Sequence, residues 1–193
     1  MKKLFVMAAM VLSSVGAFAQ YNAGDVTIQP KVGLNVSSVT DDDAEYKAGF
    51  VRGAELEYHV SPMFGISGGL LYSMQGAKVK DSDVKMKMDY LNIPILANVY
   101  VAPGLALKAG IQPAFNLSNK VSVEGVTVDY DKYAPDGAKI KSFDFSIPVG
   151  LSYEYMNVCL DARYNIGVTK IADFDDAGCN SVFQITLGYK FAL

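Results

Sequence analysis

His59 is the only histidine in the chain, so any proton transfer that needs an imidazole near neutral pH must pass through it. Glu55 and Glu57 stand two residues apart, and so do Asp161 and Arg163. In an extended strand that spacing puts both members of each pair on one face. Lys31, Lys108, Asp144, Glu154 and Lys190 fall on corresponding faces of other alternating stretches. Nine charges turned toward one enclosed space can do one of two things: neutralise one another across it, or line a narrow path for ions. Like charges two apart would crowd unless cations from other strands came between them, so the pairing is expected to run across the interior. Arg163 and Lys108 are its expected cationic centres, with Glu55, Glu57, Asp161 and Glu154 as acceptors. A run of acids, Asp41-Asp42-Asp43, offers hard oxygen ligands, but it lacks the spaced acids, glycine and final glutamate of an EF-hand loop. It and Asp173, Asp175 and Asp176 are read as solvated loops, and no metal or cofactor is expected.

Strands must position these charges. Phe143 to Tyr155, FDFSIPVGLSYEY, alternates with Phe143, Phe145, Ile147, Val149, Leu151, Tyr153 and Tyr155 on one face and Asp144, Ser146, Pro148, Gly150, Ser152 and Glu154 on the other. A tilted strand crosses a bilayer in about 9 to 11 residues, and this run has that length with aromatic residues at both ends. Seven more stretches repeat the pattern: Val26 to Ser38, Phe50 to Val60, Phe64 to Gln75, Asp89 to Val101, Leu105 to Leu117, Val158 to Thr169 and Ser181 to Phe191. Arg52 interrupts one outward face and is expected near the membrane edge, its long side chain reaching the headgroups. Pro94, Pro113 and Pro148 interrupt others, where bulges can absorb them.

Met1 to Ala19 has two early lysines, an apolar run from Leu4 to Leu12 and an Ala17-Phe18-Ala19 ending, the pattern of a cleaved secretory signal peptide. Cleavage there leaves residues 20–193 as one domain, 174 residues long, and moves the formal charge from -3 to -5. A mild acidic excess with no basic face argues against nucleic acid as a partner. No mature stretch has the apolar length of a transmembrane helix.

The connections alternate between long and short. Ser61-Pro62-Met63, Ala102-Pro103-Gly104 and Met156-Asn157 are tight turns; polar segments such as Lys78 to Lys87 and Asn119 to Ser142 are long. Outer-membrane barrels have short periplasmic turns and long external loops. The expected fold is therefore all-β, an eight-stranded antiparallel up-and-down transmembrane barrel in the outer membrane. A lipocalin-like soluble barrel shares the alternation but turns its apolar face inward. In this register Cys159 lies at the periplasmic end and Cys179 at the external end, too far apart for a disulfide.

Lys31-Val32-Gly33-Leu34-Asn35, Tyr90-Leu91-Asn92-Ile93-Pro94, Ala162-Arg163-Tyr164-Asn165-Ile166-Gly167 and Leu187-Gly188-Tyr189-Lys190-Phe191, in that order, resemble the PorT-like outer-membrane β-barrels of Gram-negative bacteria. The resemblance implies an eight-stranded transmembrane barrel. The residues themselves point to a non-enzymatic protein whose lumen is plugged by side chains. Its partners would be outer-membrane lipid and lipopolysaccharide, and other envelope proteins met through the external loops. A narrow ion or solute channel is the alternative. A lipid-modifying enzyme is a third reading, but it needs a base at the external leaflet, and His59 adjoins a periplasmic turn, where a solvated turn histidine is expected.

Overall fold

The computed structural model describes residues 21–39, 44–79, 85–123, 126–129, 141–170 and 178–193. The expected signal peptide and the acidic runs Asp41-Asp42-Asp43 and Asp173, Asp175 and Asp176 lie outside them. Eight antiparallel staves form the wall: β1 (Val26–Val39), β2 (Lys47–Ser61), β3 (Phe64–Val79), β4 (Lys85–Asn92 continued as Ile95–Ala102), β5 (Leu105–Val123), β6 (Phe143–Tyr155), β7 (Val158–Lys170) and β8 (Cys179–Tyr189, with Phe191–Ala192). Each pairs with its sequence neighbour, and β8 pairs with β1, which closes the barrel and leaves no edge. β6 has the bounds expected of it, because its two faces differ in polarity along its whole length.

Alternation becomes a barrel whose inside and outside are exchanged relative to a soluble protein. Glu55, Lys108, Asp161, Arg163 and Lys190 are buried, while Leu34, Leu70, Leu151, Ile185 and Leu187 stand exposed on the outer wall. This is the arrangement a bilayer requires and a lipocalin-like fold forbids. Tyr58, Tyr153, Tyr155 and Phe191 face outward at the end that carries the short turns; Phe50, Phe115 and Phe143 do so toward the other end.

One outward ladder row shows the tilt. It begins at Leu105, beside the Pro103-Gly104 turn, and passes through Tyr153, Leu160, Leu187, Val32, Arg52, Tyr72 and Leu91. From Leu91 it reaches Phe115, on the strand where it started but ten residues further along, and then Phe143 at the external end of β6. Strands must tilt to close with such a stagger, and the row climbs as it winds.

The tight turns follow local chemistry. Met156 and Asn157 both have positive φ, 48° and 68°, as a two-residue hairpin of matching twist requires. Gly104, at φ 72°, supplies the left-handed residue of the Pro103-Gly104 turn. Pro94 splits β4: Ile93 N–H donates to the Pro113 carbonyl and Gly69 N–H to the Pro94 carbonyl, so hydrogen bonds cross the break.

Two connections are shorter than their polarity suggests. Lys78 pairs with Lys85, so the described ends of the Lys78 to Lys87 segment are strand. β5 continues to Val123, and Val126–Asp129 folds back on Lys120 to Val123. Beyond the bilayer both faces of a hairpin meet water, so the apolar alternation that reveals a strand is lost there while its backbone ladder persists.

Candidate functional site

The charged side chains in the lower lumen form two storeys, set by the two-residue step between Glu55 and Glu57 on β2. The upper storey centres on Arg163 of β7. Its Nε donates to Asp161 Oδ1 at 2.6 Å, and its Nη2 donates to Asp161 Oδ2 at 2.7 Å and Glu55 Oε2 at 2.8 Å. Nη1 lies 2.6 Å from Glu55 Oε1, a close charge contact. Lys31 of β1 donates to Glu55 Oε2 at 2.8 Å, and Lys108 of β5 donates to Asp161 Oδ2 at 2.9 Å. Arg163 is 1 % exposed. Pairing therefore runs across the barrel, but also along one strand, from Arg163 to its own neighbour Asp161, where only cross-barrel pairing was expected. A guanidinium is long and planar enough to fold back on the residue two positions away and still reach the far wall.

The lower storey centres on Lys190. Its Nζ donates to Glu57 Oε2 at 2.8 Å, lies 3.1 Å from Glu154 Oε2, and donates to the Tyr100 hydroxyl at 2.9 Å. Tyr100 and Asn98 each donate to Glu57 Oε1, at 2.8 and 2.7 Å. Together the storeys hold four cations, Lys31, Lys108, Arg163 and Lys190, against four carboxylates, Glu55, Glu57, Glu154 and Asp161. The balance removes net charge from a space where an uncompensated ion would be costly.

Glycine makes room for these long groups. A Cβ placed on Gly69 would meet Glu55 Cγ at 2.5 Å, and one on Gly150 would meet the neighbouring strand's backbone, the Ala162 carbonyl oxygen at 2.2 Å and Arg163 Cα at 2.8 Å. Each glycine is the ladder partner of the charged residue it accommodates.

Asp144 does not belong to this network, contrary to the expectation from the sequence. It sits at the external end of β6, where it accepts from Asn180 Nδ2 at 2.7 Å, from the Thr169 hydroxyl and from the Phe145 backbone N–H. Alternation fixes the face of a side chain but not its height, and Asp144 enters the lumen at the opposite end of β6 from Glu154. Around it the upper lumen is lined by amides and hydroxyls: Gln75, Asn92, Gln112, Ser146, Asn165 and Asn180 surround a cavity of only about 10 Å³.

His59 also departs from expectation. It is 0 % exposed, not a solvated turn residue. Tyr21 covers it, with ring centroids 3.9 Å apart at an interplanar angle of 17°. The Tyr21 hydroxyl donates to Glu154 Oε1 at 2.6 Å, and its ring faces Lys190 Nζ at 5.0 Å. Burial holds this phenol protonated above its ordinary range, against the opposing pull of Lys190. Two backbone bonds seat the segment: Gly24 N–H donates to the His59 carbonyl at 2.8 Å, and His59 N–H donates to the Asp25 carbonyl at 2.9 Å. Tyr21 thus stops the mouth at the end of the short turns. Sequence reasoning missed it because it precedes β1 and belongs to no alternating run; its only signal was an aromatic residue just after the expected cleavage site.

Cys159 pairs in the ladder with Gly188, and Cys179 stands nine residues away along β8. At about 3.3 Å per residue they are separated by most of the wall's height.

The sequence profile of the family described as outer membrane protein beta-barrel domain matches residues 18–173. No curated protein matches the chain by sequence. Among solved structures it is similar to Ail, the attachment invasion locus protein of Yersinia pestis, at 18 % identity and TM-score 0.53 over 87 % of this chain and 99 % of that one. Ail has also been solved in complex with the heparin analogue sucrose octasulfate. Neisserial surface protein A is similar at 14 % identity and TM-score 0.53, over 86 % of this chain and 95 % of that one. OprG of Pseudomonas aeruginosa is similar at 14 % identity and TM-score 0.52, over 90 % and 99 %. At these identities the likeness is one of fold.

Proposed function

The chain belongs to the outer membrane protein beta-barrel domain family, and from that premise we propose that it is a non-enzymatic barrel with a sealed lumen, acting through its external loops. It is a protein of the outer membrane. The observation that carries the reading is the four-against-four charge pairing above Tyr21, which fills the lower lumen with ion pairs. Eight strands enclose an interior that side chains can fill, and here they do. A filled lumen leaves the long connections as the surface through which other envelope components are met. The likeness to PorT-like barrels is a narrower reading of the same kind, supported by the order of the four sequence motifs.

Two measurements test the proposal together. Purified protein in planar bilayers should give no steady conductance; well-resolved steps would make it a narrow channel instead. Shortening the β5–β6 connection, residues 124–142, should abolish capture of envelope partners while the barrel still folds. Lipid A with an unchanged mass profile in cells with and without the protein is expected, and an altered profile would favour an enzyme.

A further inference from the structure

Side chains from six strands, β3 to β8, meet at the cavity of about 10 Å³ in the upper lumen. Asn92, Gln112, Asn165 and Asn180 line it, and none of them is more than 3 % exposed. Their amide oxygens, Oδ1 of Asn92, Asn165 and Asn180 and Oε1 of Gln112, find no hydrogen-bond donor within the protein. Of their nitrogens, Nδ2 of Asn92 and of Asn165 are left over in the same way, whereas Gln112 Nε2 donates to Ser146 Oγ and Asn180 Nδ2 to Asp144 Oδ2. The excess is of oxygen, and buried acceptors without donors are costly.

Asp144, on the same lining, adds a carboxylate. It accepts from neutral groups alone, Asn180 Nδ2, the Thr169 hydroxyl and the Phe145 N–H, and among the described residues no lysine or arginine pairs with it. Lys47, which does contact a lining residue, donates to the Gln75 carbonyl at 2.7 Å instead. Each carboxylate of the lower lumen has a cation beside it, and a buried carboxylate without one is costly. The cavity has room for one particle the size of a water, which excludes an organic solute. A single water has two hydrogens to give and no charge, so it would leave both the spare oxygens and Asp144 unmatched.

We propose that the cavity binds one dehydrated monovalent cation, potassium, held by Asp144 and by the amide oxygens of Asn92, Gln112, Asn165 and Asn180. Dehydrated potassium is close to water in size, and carbonyl oxygens can replace its hydration shell. Its single charge matches the single carboxylate. Magnesium keeps several waters, for which there is no room, and calcium would exchange one unmatched negative charge for a positive one. Ala114 and Val182 complete the lining and limit the space for further water.

The test is urea unfolding of the mature protein in lipid vesicles, in potassium, sodium, calcium or choline chloride at equal ionic strength; choline is too large for the cavity. The wild type should resist urea best in potassium. Each tenfold rise in potassium above its dissociation constant should raise the folded-to-unfolded ratio about tenfold. Asp144→Asn, which keeps the shape and removes the charge, should lose the difference between potassium and choline. Asn165→Leu breaks no hydrogen bond within the protein, so it should leave stability in choline intact and still lose most of the potassium effect. Wild-type crystals grown in rubidium chloride need no variant: an anomalous peak inside the cavity is expected, and an ordered water without one would overturn the assignment. So would equal midpoints in potassium and choline, stronger protection by sodium or calcium, or a potassium effect that survives in Asp144→Asn.

Discussion

Tyr21 lies flat on His59, 3.9 Å away, and its hydroxyl reaches across to Glu154 on the far side of the mouth. The stack joins the segment before β1 to the end of β2, and the hydrogen bond joins it to β6. Tyr21→Ala should cost about 0.5–1.5 kcal/mol for the lost ring contact, with a further loss from the hydrogen bond its hydroxyl donates to Glu154. His59 should then become reactive toward diethylpyrocarbonate, and equal reactivity in both proteins would show that Tyr21 does not close the mouth.

The same contact carries a pH signature. The buried phenol is held above its ordinary value of about 10, so the folded form keeps a proton that the unfolded form gives up first. The stability from docking is therefore intact below about pH 10 and falls as pH rises beyond it. The unfolding midpoint of the wild type should drop above pH 10, and Tyr21→Phe, which has no proton to lose there, should show a smaller drop. Parallel profiles for the two proteins would remove this residue from the alkaline transition.

Arg163 contacts two carboxylates and is buried, so Arg163→Ala should leave both short of a cation. The expected cost is roughly 3 to 5 kcal/mol, read as a lower unfolding temperature on a heat-modifiability gel. Arg163→Lys should recover only part, because an ammonium cannot serve Glu55 and Asp161 with parallel donors. Full recovery by lysine would mean that charge alone matters at this position.

Gly69 is required by the close approach of the Glu55 side chain and the Ala54 carbonyl, not by an unusual φ of its own. Gly69→Ala should push Glu55 out of reach of Lys31 and destabilise the barrel by about 1 to 3 kcal/mol. Gly68, whose outward Cβ would meet open space, is the control: Gly68→Ala should be close to neutral. Equal effects at the two positions would contradict a packing cause.

Export is expected to remove Met1 to Ala19, which would make Tyr21 the second residue of the mature chain. N-terminal sequencing from outer membranes should begin at Gln20 or close to it. An uncleaved leader would have to leave the mouth exactly where Tyr21 fills it, so retention of Leu4 to Leu12 would argue against both readings.

The wall was legible in the sequence wherever its two faces meet different solvents. Phe143 to Tyr155 could be bounded residue by residue because lipid on one side and a packed lumen on the other impose opposite polarity at every step. Lys120 and Lys85 lie in stretches whose polar residues do not alternate with apolar ones, and nothing in their polarity announces the ladder that holds them. Parity likewise showed that Asp144 and Glu154 point inward but could not show that they stand at opposite ends of the lumen. Tyr21 and the burial of His59 depend on a segment that returns to the barrel from outside any strand. Such a tertiary contact has no period to read.

The closure of β8 onto β1 means that β1 cannot finish its pairing until the last strand has arrived. Glu55 and Arg163 are 108 residues apart, and Lys190 meets Glu57 from 133 residues away. A closing seam displaced by two residues would keep every side chain on its proper face, so the hydrophobic pattern alone would not detect the error. It would, however, carry Lys190 about 6.6 Å along the wall from its carboxylates and strand both signs of charge. The ion pairs thus distinguish the native seam from its nearest mistaken neighbour, which the hydrophobic pattern alone does not.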